Sequence, residues 1–218
     1  MLDWQAVDTV LLDMDGTLLD LYFDSHFWLE FLPLRYAQRH GLDPAQARAP
    51  LIERIMAQRG SLNWYCLDYW SRELELPIAE LKREVADRIR LRAGVEAFLT
   101  RLKQSGRRTL IVTNAHRDSL NLKIERTGID SWVDRVIVSH DMGLPKEDAG
   151  FWRLLQAQEP FDPARTLLID DSVPVLESAR DFGIRHLLCI AQPDSQQPPR
   201  QIEAFDAITD FAGVMPPV

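Results

Sequence analysis

Cysteine is scarce in this chain of 218 residues, which contains two. Cys66 and Cys189 lie far apart and belong to no CxxC pattern or cysteine–histidine cluster. Their spacing argues against a disulfide framework and against a zinc site of the usual pattern. Because free thiols are typical of a reducing compartment, we expect the protein in the cytoplasm.

Long hydrophobic runs and an excess of positive charge are missing as well. The apolar runs, such as residues 10–12, fall far short of the ~20 residues that span a bilayer, and no basic signal-peptide segment opens the chain. The 25 basic and 33 acidic residues leave a formal net charge of −8. We therefore expect no membrane partner and no nucleic acid bound through bulk charge.

What the chain does contain is a set of short β-rich runs. Apolar residues make up 46% of the sequence, and a chain of this length buries roughly 70% of its unfolded surface without needing a disulfide or a structural metal. Apolar centres without polar interruption are typical of strands buried on both faces. Five such runs are present: residues 7–12, 108–113, 135–139, 165–170 and 185–190.

Helical spacing appears between the later runs. It predicts helices over 95–102 and 175–182, each followed by a glycine, and only a turn at Asp162-Pro163. Strands alternating with helices from residue 94 onward predict an α/β fold, with a parallel sheet covered on both faces.

Residues from about 19 to 92 break this alternation. They contain no convincing strand, and they hold all four tyrosines and 10 of the 19 aromatic residues. We interpret this stretch as a helical unit inserted after the first strand. Its expected helices cover roughly 24–40, 44–59, 61–75 and 77–90.

Two carboxylates follow the first strand, in Asp13-Met14-Asp15-Gly16-Thr17. Ligands of parallel-sheet proteins bind at this end of the strands. Asp-Gly is also a strong hairpin pattern, but the residues that follow turn helical and offer no returning strand. This favours a site over a hairpin.

A second acidic pair, Asp170-Asp171, closes the fourth strand. Taken alone, it is at least as typical of a helix N-cap. If the two strands are neighbours, however, four carboxylates meet at one edge, and their repulsion requires a cation. Oxygen ligands of this kind suit Mg²⁺.

Two further candidates lie after other strands. Thr113-Asn114 ends the second strand, where a hydroxyl and backbone N–H groups can receive phosphate oxygens, although an ordinary helix cap explains the pair equally well. Lys146 follows the third strand in chain order and could neutralise a phosphoryl group, but a loop lysine is usually only solvated.

Together, Asp13-x-Asp15-Gly16-Thr17, Thr113, Lys146 and Asp170-Asp171 resemble the four ordered motifs of the haloacid dehalogenase superfamily of phosphotransferases. The resemblance implies a Rossmann-like, three-layer core with strand order 5-4-1-2-3. The core would comprise residues 1–18 and 92–218. Residues 19–91 would form an inserted, all-helical cap domain.

The resemblance also implies the chemistry, which is hydrolysis of a phosphomonoester. Asp13 is the expected nucleophile that forms an aspartyl phosphate, and Asp15 the acid and base that serves the leaving oxygen. Mg²⁺ would be held by Asp13, the backbone carbonyl of Asp15 and the acidic pair. We favour Asp171 as the direct ligand, with Asp170 behind it or acting through water.

The other two motifs would bind the phosphoryl group. Thr113 and the N–H group of Asn114 would hold its oxygens, and Lys146 would compensate their charge. The net negative charge does not prevent this, because these groups act at contact distance while the bulk field is screened within ~8 Å.

Within the superfamily, the chain is similar to the bacterial GMP/IMP 5′-nucleotidases. The matching stretches are residues 18–21, 62–70, 113–116 and 145–148, including the order Pro145-Lys146, which inverts the usual lysine-proline. This implies a nucleoside monophosphate as substrate. In the cap, Asn63, Tyr65 and Asp68 are the candidates for contacting the base, although aromatics at helical spacing are usually core residues.

Other interpretations of this site differ in the fate of the phosphoryl group. A phosphatase of another small metabolite uses the same site, and a phosphomutase would return the group to its substrate. A dehalogenase is disfavoured because its chemistry does not need the acid and base at Asp15. A non-catalytic binding module is disfavoured because the whole set of reactive residues is present.

Overall fold

The computed structural model describes residues 2–217 and contains one sheet of six parallel strands. Their order is β3-β2-β1-β4-β5-β6, which confirms the order 5-4-1-2-3 and adds a sixth strand at one edge. Two residues are too few to show an apolar pattern, so the sequence did not predict β6. The strands are β1 Thr9–Leu12, β2 Arg108–Thr113, β3 Arg135–Val138, β4 Thr166–Asp170, β5 His186–Ile190 and β6 Ala207–Ile208.

Between β1 and β2 the chain is helical, as predicted. Residues 22–88, called the helical segment below, contain six α-helices, one π-helical stretch at Phe27–Phe31 and a 3₁₀ turn at Ala86–Arg88. The α-helices are α1 Tyr22–His26, α2 Leu32–His40, α3 Pro44–Met56, α4 Leu62–Tyr65, α5 Leu67–Leu74 and α6 Ile78–Glu84.

Three of the expected helices in this segment are shorter than predicted, and the one over 44–59 ends at Met56. The one over 61–75 breaks at Cys66, whose backbone is extended and whose Sγ accepts a hydrogen bond from the N–H of Tyr69, so that a new helix begins there. The one over 77–90 ends at Glu84, because the chain must return to the sheet. On its way back it pairs with the outgoing chain, where Arg92 N donates to Leu18 O and Asp20 N donates to Arg90 O, each at 3.0 Å.

Five further helices flank the sheet: α7 Val95–Gln104, α8 Arg117–Thr127, α9 Ser139–Met142, α10 Ala149–Gln158 and α11 Val173–Phe182. Those over 95–102 and 175–182 are confirmed, and so is the turn at Pro163–Arg165.

Strand geometry divides the core between the two faces of the sheet, because successive side chains of a strand point in opposite directions. Val10 and Leu12 belong to one apolar cluster, together with residues of α7 and α8. Leu11 belongs to a second cluster, with residues of α10 and α11.

The first cluster also contains buried side chains of the helical segment, such as Phe23 and Phe27. Because this apolar core is continuous, the division into a core domain and a cap domain stays a prediction. Among the described helices, none has the length and apolar content needed to cross a membrane.

Candidate active site

The site lies at the carboxyl edge of the sheet, beneath the helical segment. Parallel pairing places Leu12 beside Ile111 and Ile169, so β1, β2 and β4 end next to one another. A cavity of about 580 Å³ opens over these ends. Its lining includes all of the core residues proposed from the sequence: Asp13, Asp15, Thr113, Asn114, Lys146, Asp170 and Asp171.

Lys146 is buried at the centre of this edge. Its Nζ lies 2.6 Å from Oδ1 of Asp13 and 2.7 Å from Oδ2 of Asp170, and it donates to the carbonyl of Val112 at 3.1 Å. Burial lowers the pKa of Lys146, but the two carboxylates outweigh burial and hold the pKa above its usual range. The side chain is therefore charged, and it reaches the site with proline before it in the sequence.

Asp13 follows β1 and is also buried. Burial raises its pKa to about 6, against the opposing effect of the Lys146 ammonium. Lys146 binds one carboxylate oxygen, whereas the other, Oδ2, is buried without a hydrogen-bond partner anywhere in residues 2–217. An oxygen of this kind needs a ligand to satisfy it.

The acidic pair after β4 divides its contacts unequally. Both carboxylate oxygens of Asp170 have partners. Its Oδ2 contacts Nζ of Lys146, and its Oδ1 accepts a hydrogen bond from the N–H of Ser172 at 2.9 Å, in the turn before α11. The acidic pair does not cap the helix, because the N-cap residue of α11 is Ser172 and no side chain makes a capping hydrogen bond there. Burial and the Asp13 and Asp170 carboxylates hold the pKa of Asp171 well above its usual range.

Gly16 packs against Asp171. Its φ of +91° lies in the left-handed region, and a Cβ atom there would come within 2.8 Å of Asp171 Cγ. Only glycine accepts both the conformation and the contact. The Asp-Gly pair of the first motif is thus a turn that makes room for the second acidic pair, and the hairpin reading does not hold.

These carboxylates fit a divalent cation. One oxygen from each of Asp13, Asp170 and Asp171 lies within 4.8 Å of the others. Lys146 offsets one of the three negative charges, and a cation among the oxygens would relieve the repulsion that raises the pKa of Asp171. Mg²⁺ prefers such oxygen donors, and each of the three carboxylates offers one.

Asp15 lies on the other side of the turn and forms an ion pair with a second lysine, Lys123. The Nζ atom of Lys123 lies 2.7 Å from its Oδ1. Burial raises the pKa of Asp15 to about 6, although Lys123 opposes the shift. A carboxyl group with such a pKa exchanges its proton near neutral pH.

Thr113 and Asn114 shape the end of β2. The Thr113 hydroxyl accepts from the N–H of Ala115 at 3.0 Å, whereas the side chain that caps α8 is that of His116. Asn114 accepts from the N–H of Lys146 and donates to Glu147, both at 2.9 Å. Its side chain therefore holds the loop that carries the lysine.

The sequence model of the haloacid dehalogenase-like hydrolase family matches residues 7–183 of this chain, and this range includes every motif residue at the sheet edge. The chain belongs to the haloacid dehalogenase-like hydrolase family.

Relatives agree with this membership over nearly the full length. The chain is 40% identical over 213 residues to the GMP/IMP nucleotidase YrfG of Escherichia coli strain K12, covering 98% of this chain and 96% of the relative. It is similar in structure to a haloacid dehalogenase-type phosphatase from Thermococcus onnurineus, with a TM-score of 0.79, 19% identity and coverage of 95% and 96%. A putative beta-phosphoglucomutase from Thermotoga maritima superposes with a TM-score of 0.60, 20% identity and coverage of 84% and 85%.

The two structural likenesses show the fold alone, because their sequence identities are low. Family membership and the nucleotidase relative make this haloacid dehalogenase-like chain a hydrolase of phosphoric monoesters.

The three residues suggested for base contact lie in different places. Tyr65 lines the cavity, and its hydroxyl donates to Glu147 Oε1 at 2.6 Å. Asn63 is exposed, with its amide 3.4 Å from Gln58, and Asp68 is exposed, with a carboxylate oxygen 3.6 Å from Nε2 of His116. Neither Asn63 nor Asp68 is among the lining residues of the cavity.

Three charged residues beside the site were not predicted from the sequence: Lys123 and Lys82, which are buried, and Asp24, which is partly buried. Lys123 follows Leu120 at helical spacing on the buried face of α8, so a lysine within an apolar stripe was its only local sign. Asp24 and Lys82 contact each other from positions 58 residues apart, which no local pattern reveals. The helical segment further lines the cavity with Trp28, Arg59 and Trp64.

Proposed function

We propose that the protein is a Mg²⁺-dependent 5′-nucleotidase that dephosphorylates purine nucleoside 5′-monophosphates, GMP and IMP above all. The observation that supports this chemistry is the environment of the two carboxylate oxygens of Asp13. Lys146 anchors one of its oxygens, and the other is buried, unpartnered and next to the cavity. This arrangement suits a carboxylate nucleophile, because the attacking oxygen has no competing hydrogen bond to lose.

In the first half of the reaction, Oδ2 of Asp13 attacks phosphorus and forms an aspartyl phosphate. The bond between phosphorus and the ribose 5′-oxygen breaks, and Asp15 gives its proton to that oxygen. In the second half, water attacks phosphorus, the bond to Asp13 breaks, and Asp15 takes the proton of the water. The raised pKa of Asp15 supports this double role, since the group must exist in both protonation states.

The transferred group needs positive charge and hydrogen-bond donors around it. Lys146 supplies charge beside Asp13, and the hydroxyl of Thr113 and the N–H group of Asn114 would hold phosphoryl oxygens at the end of β2. Asn114 acts a second time through its side chain, which keeps Lys146 in place.

Mg²⁺, when bound, would supply charge that screens Asp13 from the phosphoryl oxygens. Asp13, Asp171 and the backbone carbonyl of Asp15 would hold it. Asp170 is the weaker candidate for direct contact, because both of its oxygens already have partners.

The helical segment would select the leaving group, because the core carboxylates meet only the phosphate. Trp28, Trp64 and Tyr65 line the cavity, and stacking on a base contributes about 1–3 kcal/mol, more on the larger face of a purine. The 40% identity to a GMP/IMP nucleotidase supports the same choice. The free thiols of Cys66 and Cys189 are compatible with the cytoplasmic location that we propose.

A substrate panel tests the proposal. Release of inorganic phosphate from GMP, IMP, AMP, CMP, UMP, glucose 6-phosphate and p-nitrophenyl phosphate is measured with Mg²⁺ and with excess EDTA. We expect the highest kcat/KM with GMP and IMP, and loss of activity with EDTA. Preference for a sugar phosphate would contradict the nucleotidase assignment, and recovery of an isomeric phosphate ester without free phosphate would indicate a phosphomutase.

A further inference from the structure

Lys123 connects the proposed acid and base to the helical segment. It lies on α8 and is buried, and its Nζ atom is 2.7 Å from Oδ1 of Asp15 and 2.7 Å from Oδ2 of Asp24. Asp15 belongs to the turn after β1, whereas Asp24 lies on α1 of the helical segment. One ammonium group therefore bridges two carboxylates from different parts of the chain.

Asp24 is held from its other side by a second buried lysine. Lys82 on α6 contacts Oδ1 of Asp24 at 2.5 Å. Its ammonium also lies 4.7 Å, 4.8 Å and 5.6 Å from the ring centroids of Phe23, Phe27 and Trp28. Cation–π contacts of this kind stabilise a charge in an enclosed place, so Lys82 and Asp24 have little freedom to move.

The four groups balance in charge, with two lysines against two carboxylates. Lys123 and Lys82 therefore do not form a free anion site, because each ammonium already contacts a carboxylate. The arrangement is better suited to fixing the position of a side chain than to binding a second phosphate.

We propose that Lys123 is a positioning residue for Asp15, and that Asp24 and Lys82 keep Lys123 in place. The inference rests on the proposed function, in which Asp15 delivers a proton to the leaving oxygen. A misplacement of about 1 Å costs roughly 10²-fold in rate. The ion pair between Lys123 and Oδ1 of Asp15 would direct the other oxygen of Asp15 toward the leaving group.

The test compares two leaving groups, because only the ribose oxygen needs a proton as it departs. Pre-steady-state release of guanosine from GMP and of p-nitrophenol from p-nitrophenyl phosphate is measured for wild type, Lys123→Met and Lys123→Arg. We expect Lys123→Met to slow guanosine release by about 10²-fold and p-nitrophenol release only severalfold. Lys123→Arg, which retains the charge, should recover part of the loss.

The surface pair Arg83–Glu125 provides a matched control. Arg83 on α6 contacts Glu125 on α8 at 3.0 Å, and both side chains are exposed. Arg83→Gln removes an ion pair between the same two helices but leaves Asp15 untouched. We expect it to leave both release rates at the wild-type value.

A second variant is needed in case Lys123→Met misfolds, because that substitution leaves the partly buried carboxylates of Asp15 and Asp24 near each other with no ammonium group between them. Asp24→Asn with Lys82→Met removes one charge of each sign and keeps the Lys123–Asp15 pair. We expect this double variant to slow guanosine release more than p-nitrophenol release, with circular dichroism and thermal unfolding reporting the fold.

The outcomes separate the two proposals. Equal losses for both leaving groups in Lys123→Met and in the double variant, in a wild type that hydrolyses GMP, would overturn the inference alone. A wild type that releases no guanosine while it hydrolyses other phosphate esters would overturn the nucleotidase assignment and the inference with it.

Discussion

The Nζ atom of Lys146 lies 2.6 Å from Oδ1 of Asp13, and this contact leaves Oδ2 as the unpartnered oxygen of that carboxylate. Lys146 also binds Asp170, so it bridges the carboxylate that follows β1 and the carboxylate that ends β4. The same lysine therefore orients the proposed nucleophile and holds part of the acidic cluster together.

Asp13→Asn should abolish turnover while the fold stays intact. The amide has nearly the same volume but is a far weaker nucleophile, and we expect a loss of at least ~10³-fold in kcat on GMP. Asp181→Asn, at an exposed carboxylate of α11, is the control and should keep wild-type activity. Activity of Asp13→Asn within about tenfold of wild type would exclude Asp13 as nucleophile.

Asp15→Asn should affect nucleotides more than p-nitrophenyl phosphate. A ribose alkoxide needs a proton to leave, whereas p-nitrophenolate does not. Because hydrolysis of the aspartyl phosphate also uses Asp15, the comparison must be made on the burst of the first step. Equal losses in burst rate would show that Asp15 is not the acid.

Gly16→Ala should impair activity through Asp171. A Cβ atom at Gly16 would lie 2.8 Å from Asp171 Cγ, whereas Gly106, with φ of +69°, has nothing within 4 Å. Both substitutions to alanine cost about 1–2 kcal/mol of backbone strain. Only Gly16→Ala should raise the Mg²⁺ concentration needed for half-maximal activity. If Gly106→Ala raises it equally, strain explains the effect and the contact with Asp171 does not.

The stability of the metal-free protein should fall as the pH rises from about 4 to about 6. Burial raises the pKa of Asp13 and of Asp15 from 3.8 to about 6, so the native state binds more protons than the unfolded state in this range. Their contribution to the free energy of unfolding is present below the lower value and is lost as the pH passes the upper one. Thermal unfolding across this range measures it, and Asp13→Asn with Asp15→Asn should reduce the slope of the curve without removing it, because the pKa of Asp171 is raised as well.

Mg²⁺ should reverse that trend, because it binds the ionised carboxylates in competition with protons. We expect saturating Mg²⁺ to raise the Tm more at about pH 7 than at about pH 5. Asp171→Asn should lose most of this increment. An increment that does not depend on pH would place the ion elsewhere.

Tyr65→Ala should raise the KM for GMP and leave turnover of p-nitrophenyl phosphate nearly unchanged, because Tyr65 lines the cavity in the helical segment. Tyr65→Phe retains the ring and removes only the hydroxyl that donates to Glu147. Asp68→Ala tests the exposed carboxylate beside His116 in the same way. Unchanged GMP kinetics in Tyr65→Ala and Asp68→Ala would contradict selection by these residues.

Much of the sheet and of the phosphate edge could be predicted from the sequence. Apolar runs indicated five strands, and the polar residues that close three of them, among them Asp13, Thr113 and Asp170, meet at one edge because parallel strands end together. The break at Cys66 escaped prediction, because one extended residue hardly changes an apolar pattern.

The sequence by itself determined which residues end each strand, since strand periodicity and turn chemistry are local. Only the tertiary structure decided which charged and polar residues, far apart in the sequence, contact one another. Lys123 and Asp24 are 99 residues apart, and Tyr65 and Glu147 are 82 apart. Such contacts arise when the helical segment packs over the sheet edge. Burial then makes an unpaired charge costly, so the packing, and not any local pattern, selects which lysine faces which carboxylate.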